Sequence, residues 1–138
     1  MFRTLDAETA VAGQLMPEDM QAVADAGYRT VINNRPDGEE AGQPTTEEMK
    51  QAAEAAGLGY HAIPMGQAGI SQAMIDDSVA AFRKAKGPVM AFCRSGTRST
   101  LLWAVARSRL GDDPAALAAK AGGAGYDLSP VRGLMGPG

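Results

Sequence analysis

Apolar residues first recur at helical spacing at Met16, Met20 and Val23, after Pro17, a favourable first helical residue, and Gly27 ends that run. TVINN, 30–34, then reads as a buried strand, followed by RPDGEEAGQP, 35–44, which has turn chemistry throughout. Thr45 with Glu48 forms a capping box for a helix to Gly57, and YHAIPM, 60–65, reads as a second strand. Ser71 is a good N-cap, with Ile70 and Ile75 spaced as a hydrophobic staple. Ile75, Val79 and Phe82 mark the core face of that helix, which stops near Gly87. Residues 88–92 read as a third strand, and TLLWAVARSRL, 100–110, as an apolar helix with no internal Gly or Pro. Asp113-Pro114 and Ser129-Pro130 announce two short helices, with GGAGYD, 122–127, as a flexible link and the last four residues, MGPG, frayed.

Alternating strands and helices predict an α/β fold with a central parallel or mixed sheet flanked by helices. Ligands of such sheets bind at the carboxyl ends of the strands, where 33–40, 65–69 and 93–98 converge. With 138 residues the chain is one domain, too short for two ordinary ones. A net charge of −3 and the lack of a Lys/Arg-rich run remove the general basic field expected of a nucleic-acid binder. No stretch has the length of a membrane span, and the first ten residues carry no apolar signal core, so the protein reads as cytoplasmic. One cysteine and one histidine offer neither a disulfide nor a metal cluster, and no cofactor is implied.

That single cysteine, Cys93, falls between the third strand and its helix, in the run CRSGTRS. A loop of successive N–H groups leading into a helix N-terminus binds anions. Gly96 lets the chain curl, and Ser95 and Thr97 leave room for a ligand. Arg94 and Arg98 add positive charge that favours the thiolate, making Cys93 a nucleophile for an anionic substrate. A buried structural cysteine is the competing reading, but it gains nothing from flanking arginines.

The run resembles two families. Tyrosine and dual-specificity phosphatases carry H-C-x-x-G-x-x-R-[ST], and rhodanese-type sulfurtransferases often carry C-R-x-G-x-R. Arg98 stands five residues after Cys93, the rhodanese spacing, and Phe92 replaces the phosphatase His. Through RTVINNRPDGEE and CRSGTRS, residues 2–110 also resemble the small bacterial beta-lactamase hydrolase-like, phosphatase-like domains. That resemblance implies a dual-specificity-phosphatase-like fold and leaves the reaction open between the two chemistries. Phosphatases protonate the leaving oxygen with an Asp on the loop after the strand resembling YHAIPM, whereas here that loop has no acid before Asp76.

The expected activity is therefore sulfur transfer. Cys93 would take sulfane sulfur from thiosulfate or a persulfide and pass it to a thiol or cyanide acceptor, with Arg94, Ser95, Gly96, Thr97 and Arg98 cradling it. The alternative is a cysteine-dependent phosphatase acting on a phosphoester through a phosphocysteine. In it Arg98 would hold the phosphoryl oxygens, Asp37 would be a substitute acid, and Ser99 would supply a hydroxyl to the thiolate or cap the helix. A third reading is a non-catalytic anion or persulfide sensor. Arg35 is a candidate second cation with Asn33 or Asn34 fixing its loop, and Gln67 a candidate ligand to a substrate oxygen. Trp103 and the eight methionines read as packing, and His61 as pointing into packing or to a surface.

Overall fold

A computed structural model describes residues 2–136. Its five strands are β1 (Phe2–Thr4), β2 (Thr9–Ala12), β3 (Thr30–Asn33), β4 (Gly59–Ala62) and β5 (Val89–Phe92). They form one sheet in the order β1-β2-β5-β3-β4, with β1 antiparallel to β2 and the other neighbours parallel. The register aligns Ala12, Phe92 and Asn33 across the centre. Four chain segments therefore leave the sheet side by side at its carboxyl end: 13–16 after β2, 93–96 after β5, 34–45 after β3 and 63–71 after β4.

Five helices cover the sheet: α1 (Met20–Asp25), α2 (Thr46–Ala55), α3 (Gln72–Lys84), α4 (Thr97–Arg109) and α5 (Pro114–Gly123). Strand alternation divides the core into two layers. Val11, Ile32 and Ala91 face α3, α4 and α5 and pack with Trp103, Leu102 and Leu117. Ala10, Val31, Met90 and Phe92 face the other way, onto Met20 and Met49 from α1 and α2. The buried Trp103, Met20, Met49 and Met90 are packing residues, as their sequence context implies.

The expected elements after residue 16 are present, with local chemistry at their starts. The Thr45 hydroxyl accepts the Glu48 N–H while the Glu48 carboxylate accepts the Thr45 N–H, and the Ser71 hydroxyl accepts the Met74 N–H. Four features differ from expectation. The strands β1 and β2 were not anticipated; β2, with sequence TAVA, is buried at every position, so it has no inside-outside period to read. Helix α4 begins at Thr97 rather than at 100, because Gly96, at φ 89°, turns the chain straight into the helix. Residues 122–127 are no free link, since α5 continues through Gly123 and Tyr126 is anchored on the cysteine loop. Of the terminal MGPG, Met135 is buried in the core and not frayed, while Pro137 and Gly138 lie outside the described residues.

No helix among the described residues is long and apolar enough to cross a membrane.

Candidate active site

Cys93 follows β5 directly, fully buried, with its N–H donated to the Ala12 carbonyl across the β2–β5 pairing. Its Sγ accepts the Gly96 N–H at 3.1 Å. Gly96 is the N-cap of α4 and offers no side-chain cap, so the first N–H groups of the helix are left to the loop and to whatever anion enters it. A close approach shapes the loop from below: a Cβ on Gly13 would stand 2.9 Å from the Arg94 carbonyl oxygen, so only glycine lets the β2 segment lie against it. Arg94, Ser95 and Thr97 are exposed, with the Ser95 hydroxyl donating to Thr97 Oγ1 at 3.1 Å.

Arg98 lies in the first turn of α4 and its side chain is held at both ends of its fork. Nη1 donates to Glu39 Oε2 at 2.8 Å and to the Met65 carbonyl at 2.7 Å, and Nη2 donates to Glu39 Oε1 at 2.9 Å. These bonds use both Nη1 hydrogens and one of Nη2. The Nε–H and the second Nη2–H remain as a parallel pair on the other edge of the fork. Hydrogen bonding from Arg98, foremost, and from Arg35 holds the Glu39 carboxyl at about 2, against burial working in the opposite direction. In return Glu39 raises the guanidinium of Arg98, and Cys93 adds to that rise.

Arg35, the candidate second cation, is deeply buried and engaged by its neighbours. It is 3% exposed, its N–H donates to Asn33 Oδ1, and its guanidinium donates to Glu39 Oε1 at 2.8 Å, Gln14 Oε1 at 2.8 Å and Glu40 Oε1 at 3.3 Å. Asn34 donates to the Ile63 carbonyl, so both asparagines fix the loop as expected. Arg35 thus acts as a buttress beneath Glu39, which in turn holds Arg98.

The loops after β3 and β4, with the cysteine loop and the start of α4, enclose a groove of about 560 Å³ lined by Arg35, Pro36, Glu39, Glu40, Gly66, Gln67, Arg94 and Arg98. Asp37 is not among them. Its Oδ1 accepts the Thr46 N–H at 2.8 Å, tying the loop to the start of α2, and it faces a separate small depression with Asn33 and Pro64. The expected substitute acid thus lines a different depression from Arg94 and Arg98. Ser99 is buried without a hydrogen-bond partner for its hydroxyl; it is the third residue of α4, and the cap is Gly96. His61 lies in a different depression beside Asp77 and Lys84, where burial lowers its pKa.

Sequence reasoning missed three contributors: Glu39, the Met65 carbonyl and Tyr126, whose hydroxyl donates to the Ser95 carbonyl at 3.0 Å. Only Glu39 left a signal, standing four residues after Arg35 on a loop expected at the active end.

A family model described as "Beta-lactamase hydrolase-like protein, phosphatase-like domain" matches residues 1–110. A curated relative, the "Beta-lactamase hydrolase-like protein" of Agrobacterium fabrum, is 42% identical over 93 residues, 67% of this chain and 22% of that protein. The chain thus spans about a fifth of that relative's length. A crystal structure from Neisseria meningitidis Z2491, provisionally named a phosphatase, superposes with a TM-score of 0.78 at 33% identity, covering 97% of this chain and 95% of that one. Kinase associated phosphatase, solved with its catalytic site cysteine replaced by serine, shares the fold at a TM-score of 0.65 and 15% identity, over 81% of this chain and 72% of that one.

These findings correct the expected reaction. The matched family model and the Neisseria structure are phosphatase-like, which contradicts the sulfurtransferase reading and fits the alternative, a cysteine-dependent phosphatase, better. The expectation rested on the Cys-to-Arg spacing and on the lack of an acid in the loop after YHAIPM, two local features that the fold shared across the chain outweighs.

Proposed function

The chain belongs to the family described as beta-lactamase hydrolase-like protein, phosphatase-like domain, and from that membership we propose that it is a cysteine-dependent phosphatase acting on small phosphomonoesters. The observation that carries the reading is the pairing of two groups on one turn: Cys93 Sγ held by the Gly96 N–H, and Arg98 held by Glu39 with one edge of its fork unused.

The Cys93 thiolate attacks phosphorus. An S–P bond forms as the P–O bond to the leaving group breaks, and the electron pair departs with the leaving oxygen. The N–H groups of 94–98 and the free edge of Arg98 receive the three non-bridging oxygens, whose charge is greatest in the transition state. Two parallel N–H donors fit two phosphoryl oxygens, a geometry that lysine cannot reproduce. Water then attacks phosphorus and the S–P bond breaks, which releases inorganic phosphate and restores the thiolate. Ser99, whose buried hydroxyl has no other partner, supplies a hydrogen bond to the departing sulfur. Arg94, exposed on the groove, meets the part of the anionic substrate that does not react. Ser95 and Thr97 keep the cradle open, and Arg35 works through Glu39.

The proton for the leaving oxygen is the weak point of the site. Glu39, at about 2, is ionised at neutral pH, and Asp37 is turned to Thr46. The chemistry therefore favours substrates whose leaving group is stable as an anion, aryl phosphates above alkyl phosphates. Phosphate release from an aryl phosphate, with wild type compared with Cys93→Ser, tests the reading: turnover by the wild type only is expected, and no release by either protein refutes it.

A further inference from the structure

Tyr126 lies beyond the 110 residues that the family model covers, and its hydroxyl reaches back to the cysteine loop. The bond it makes falls on one particular peptide unit. Ser95 C=O and Gly96 N–H belong to the same planar trans amide, so they point in opposite directions. On one side the Tyr126 hydroxyl donates to the Ser95 oxygen at 3.0 Å, and on the other the Gly96 N–H donates to Cys93 Sγ at 3.1 Å. Fixing the oxygen fixes the rotation of the plane, and with it the direction of the N–H.

This plane needs fixing. Gly96 has φ 89°, and glycine alone rotates freely through that region. A Cβ at Gly96 would also collide with the Tyr126 hydroxyl, so the phenol is packed against the turn as well as bonded to it. Tyr126 is itself held: the Arg3 guanidinium on β1 stands 5.3 Å over its ring and donates to the Ala124 carbonyl at 2.9 Å.

We propose that Tyr126 is a positioning residue of the active site, which through the Ser95–Gly96 peptide aims the Gly96 N–H at the nucleophilic sulfur of Cys93. The hydroxyl polarises the amide from its oxygen end, and hydrogen bonds in series strengthen one another. Burial, foremost, pushes the Tyr126 phenol above its ordinary value, Arg3 opposes and Cys93 reinforces that shift, so the phenol keeps its donor proton at neutral pH. The charged groups facing this unit are Arg98 from α4 on the sulfur and Arg3 from β1 on the ring, and neither is altered by removing the hydroxyl.

The inference rests on Cys93 being the nucleophile of the proposed phosphatase, but it can fail separately, because alkylation by iodoacetamide reads the thiol without any turnover. In Tyr126→Phe the ring and its contact with Arg3 remain. The pH profile of Cys93 alkylation is expected to move to higher pH, the Gly96 amide proton resonance to move upfield, and kcat/KM on an aryl phosphate to fall roughly three- to tenfold, with the melting midpoint close to wild type. An alkylation profile superimposed on that of wild type overturns the proposal, whether or not activity or stability falls. A shifted profile in a protein that releases no phosphate leaves Tyr126 in its role and removes the phosphatase reading.

Discussion

Glu39 and Arg98 are joined by a two-armed ion pair, Nη1 to Oε2 at 2.8 Å and Nη2 to Oε1 at 2.9 Å, although 59 residues separate them in the chain. The carboxylate comes from the loop after β3 and the guanidinium from the first turn of α4, so the pair ties that loop to the helix that follows the cysteine loop. Its effect on chemistry is geometric. By engaging one edge of the arginine, Glu39 leaves the Nε–H and the second Nη2–H on the other edge for a ligand.

Arg98→Lys keeps the charge and loses the fork. Lysine presents one compact ammonium that cannot bond Glu39 on one edge and two phosphoryl oxygens on the other. kcat on an aryl phosphate should fall roughly 10²-fold or more, as for removal of a donor aimed at developing oxyanion charge. Steady-state kinetics with a melting curve check this; a loss of a few-fold would mean that charge alone suffices.

Glu39→Gln should alter both stability and its dependence on acid. The carboxyl is lowered from 4.5 to about 2 in the folded chain, so its contribution is fully present above the higher value and is lost as pH falls toward the lower one. The variant should be less stable at neutral pH, and the difference from wild type should shrink through that acid window. Denaturant unfolding at a series of pH values measures it. A constant difference down to the lower value would show that the ion pair contributes nothing. Turnover should fall about tenfold, because an amide holds the guanidinium less firmly than a carboxylate.

Gly96→Ala meets two obstacles, a φ of 89° and the Tyr126 hydroxyl in the space a Cβ would take. Strain on the order of 1–3 kcal/mol is expected from the backbone alone, with loss of the N–H aim at Cys93. Thermal unfolding and alkylation rate report the two effects. Wild-type behaviour in both would show that the turn tolerates another conformation.

Asp37→Ala removes the acceptor of the Thr46 N–H, an exposed bond at the start of α2. A destabilisation of about 1 kcal/mol is expected, the scale of a lost helix cap, with aryl phosphate turnover unchanged. The ratio of aryl to alkyl phosphate turnover should be large in wild type and the same in the variant. A loss confined to alkyl phosphates would identify Asp37 as the acid.

Which of these features the sequence revealed follows from the range of the interactions. Thr45 with Glu48, and Ser71 with Met74, are bonds between residues three apart, so the caps of α2 and α3 could be read from residue type and spacing. Cys93 was legible for the same reason, since strand, glycine and arginines are contiguous. Strand β2 was not, because four small buried residues carry no periodicity. Glu39 and Tyr126 reach the site across 59 and 31 residues; the spacing of Glu39 from Arg35 hints at its ion pair with Arg35 but not at its hold on Arg98, and Tyr126 leaves no local pattern at all. The expected reaction rested on the residue count from Cys93 to Arg98 and on the lack of an acid in the loop after β4, and neither expresses how the chain folds. In three dimensions Arg98 is placed by Glu39 and Met65, on a helix that begins one residue before it.

The most direct measurement is intact mass of the protein, quenched in acid during turnover of an aryl phosphate, for wild type and Cys93→Ser. A phosphoryl adduct on the wild type, mapped to Cys93 and absent from the serine variant, is the expected result. Phosphate release with no adduct, or release that persists in Cys93→Ser, would contradict a phosphocysteine intermediate.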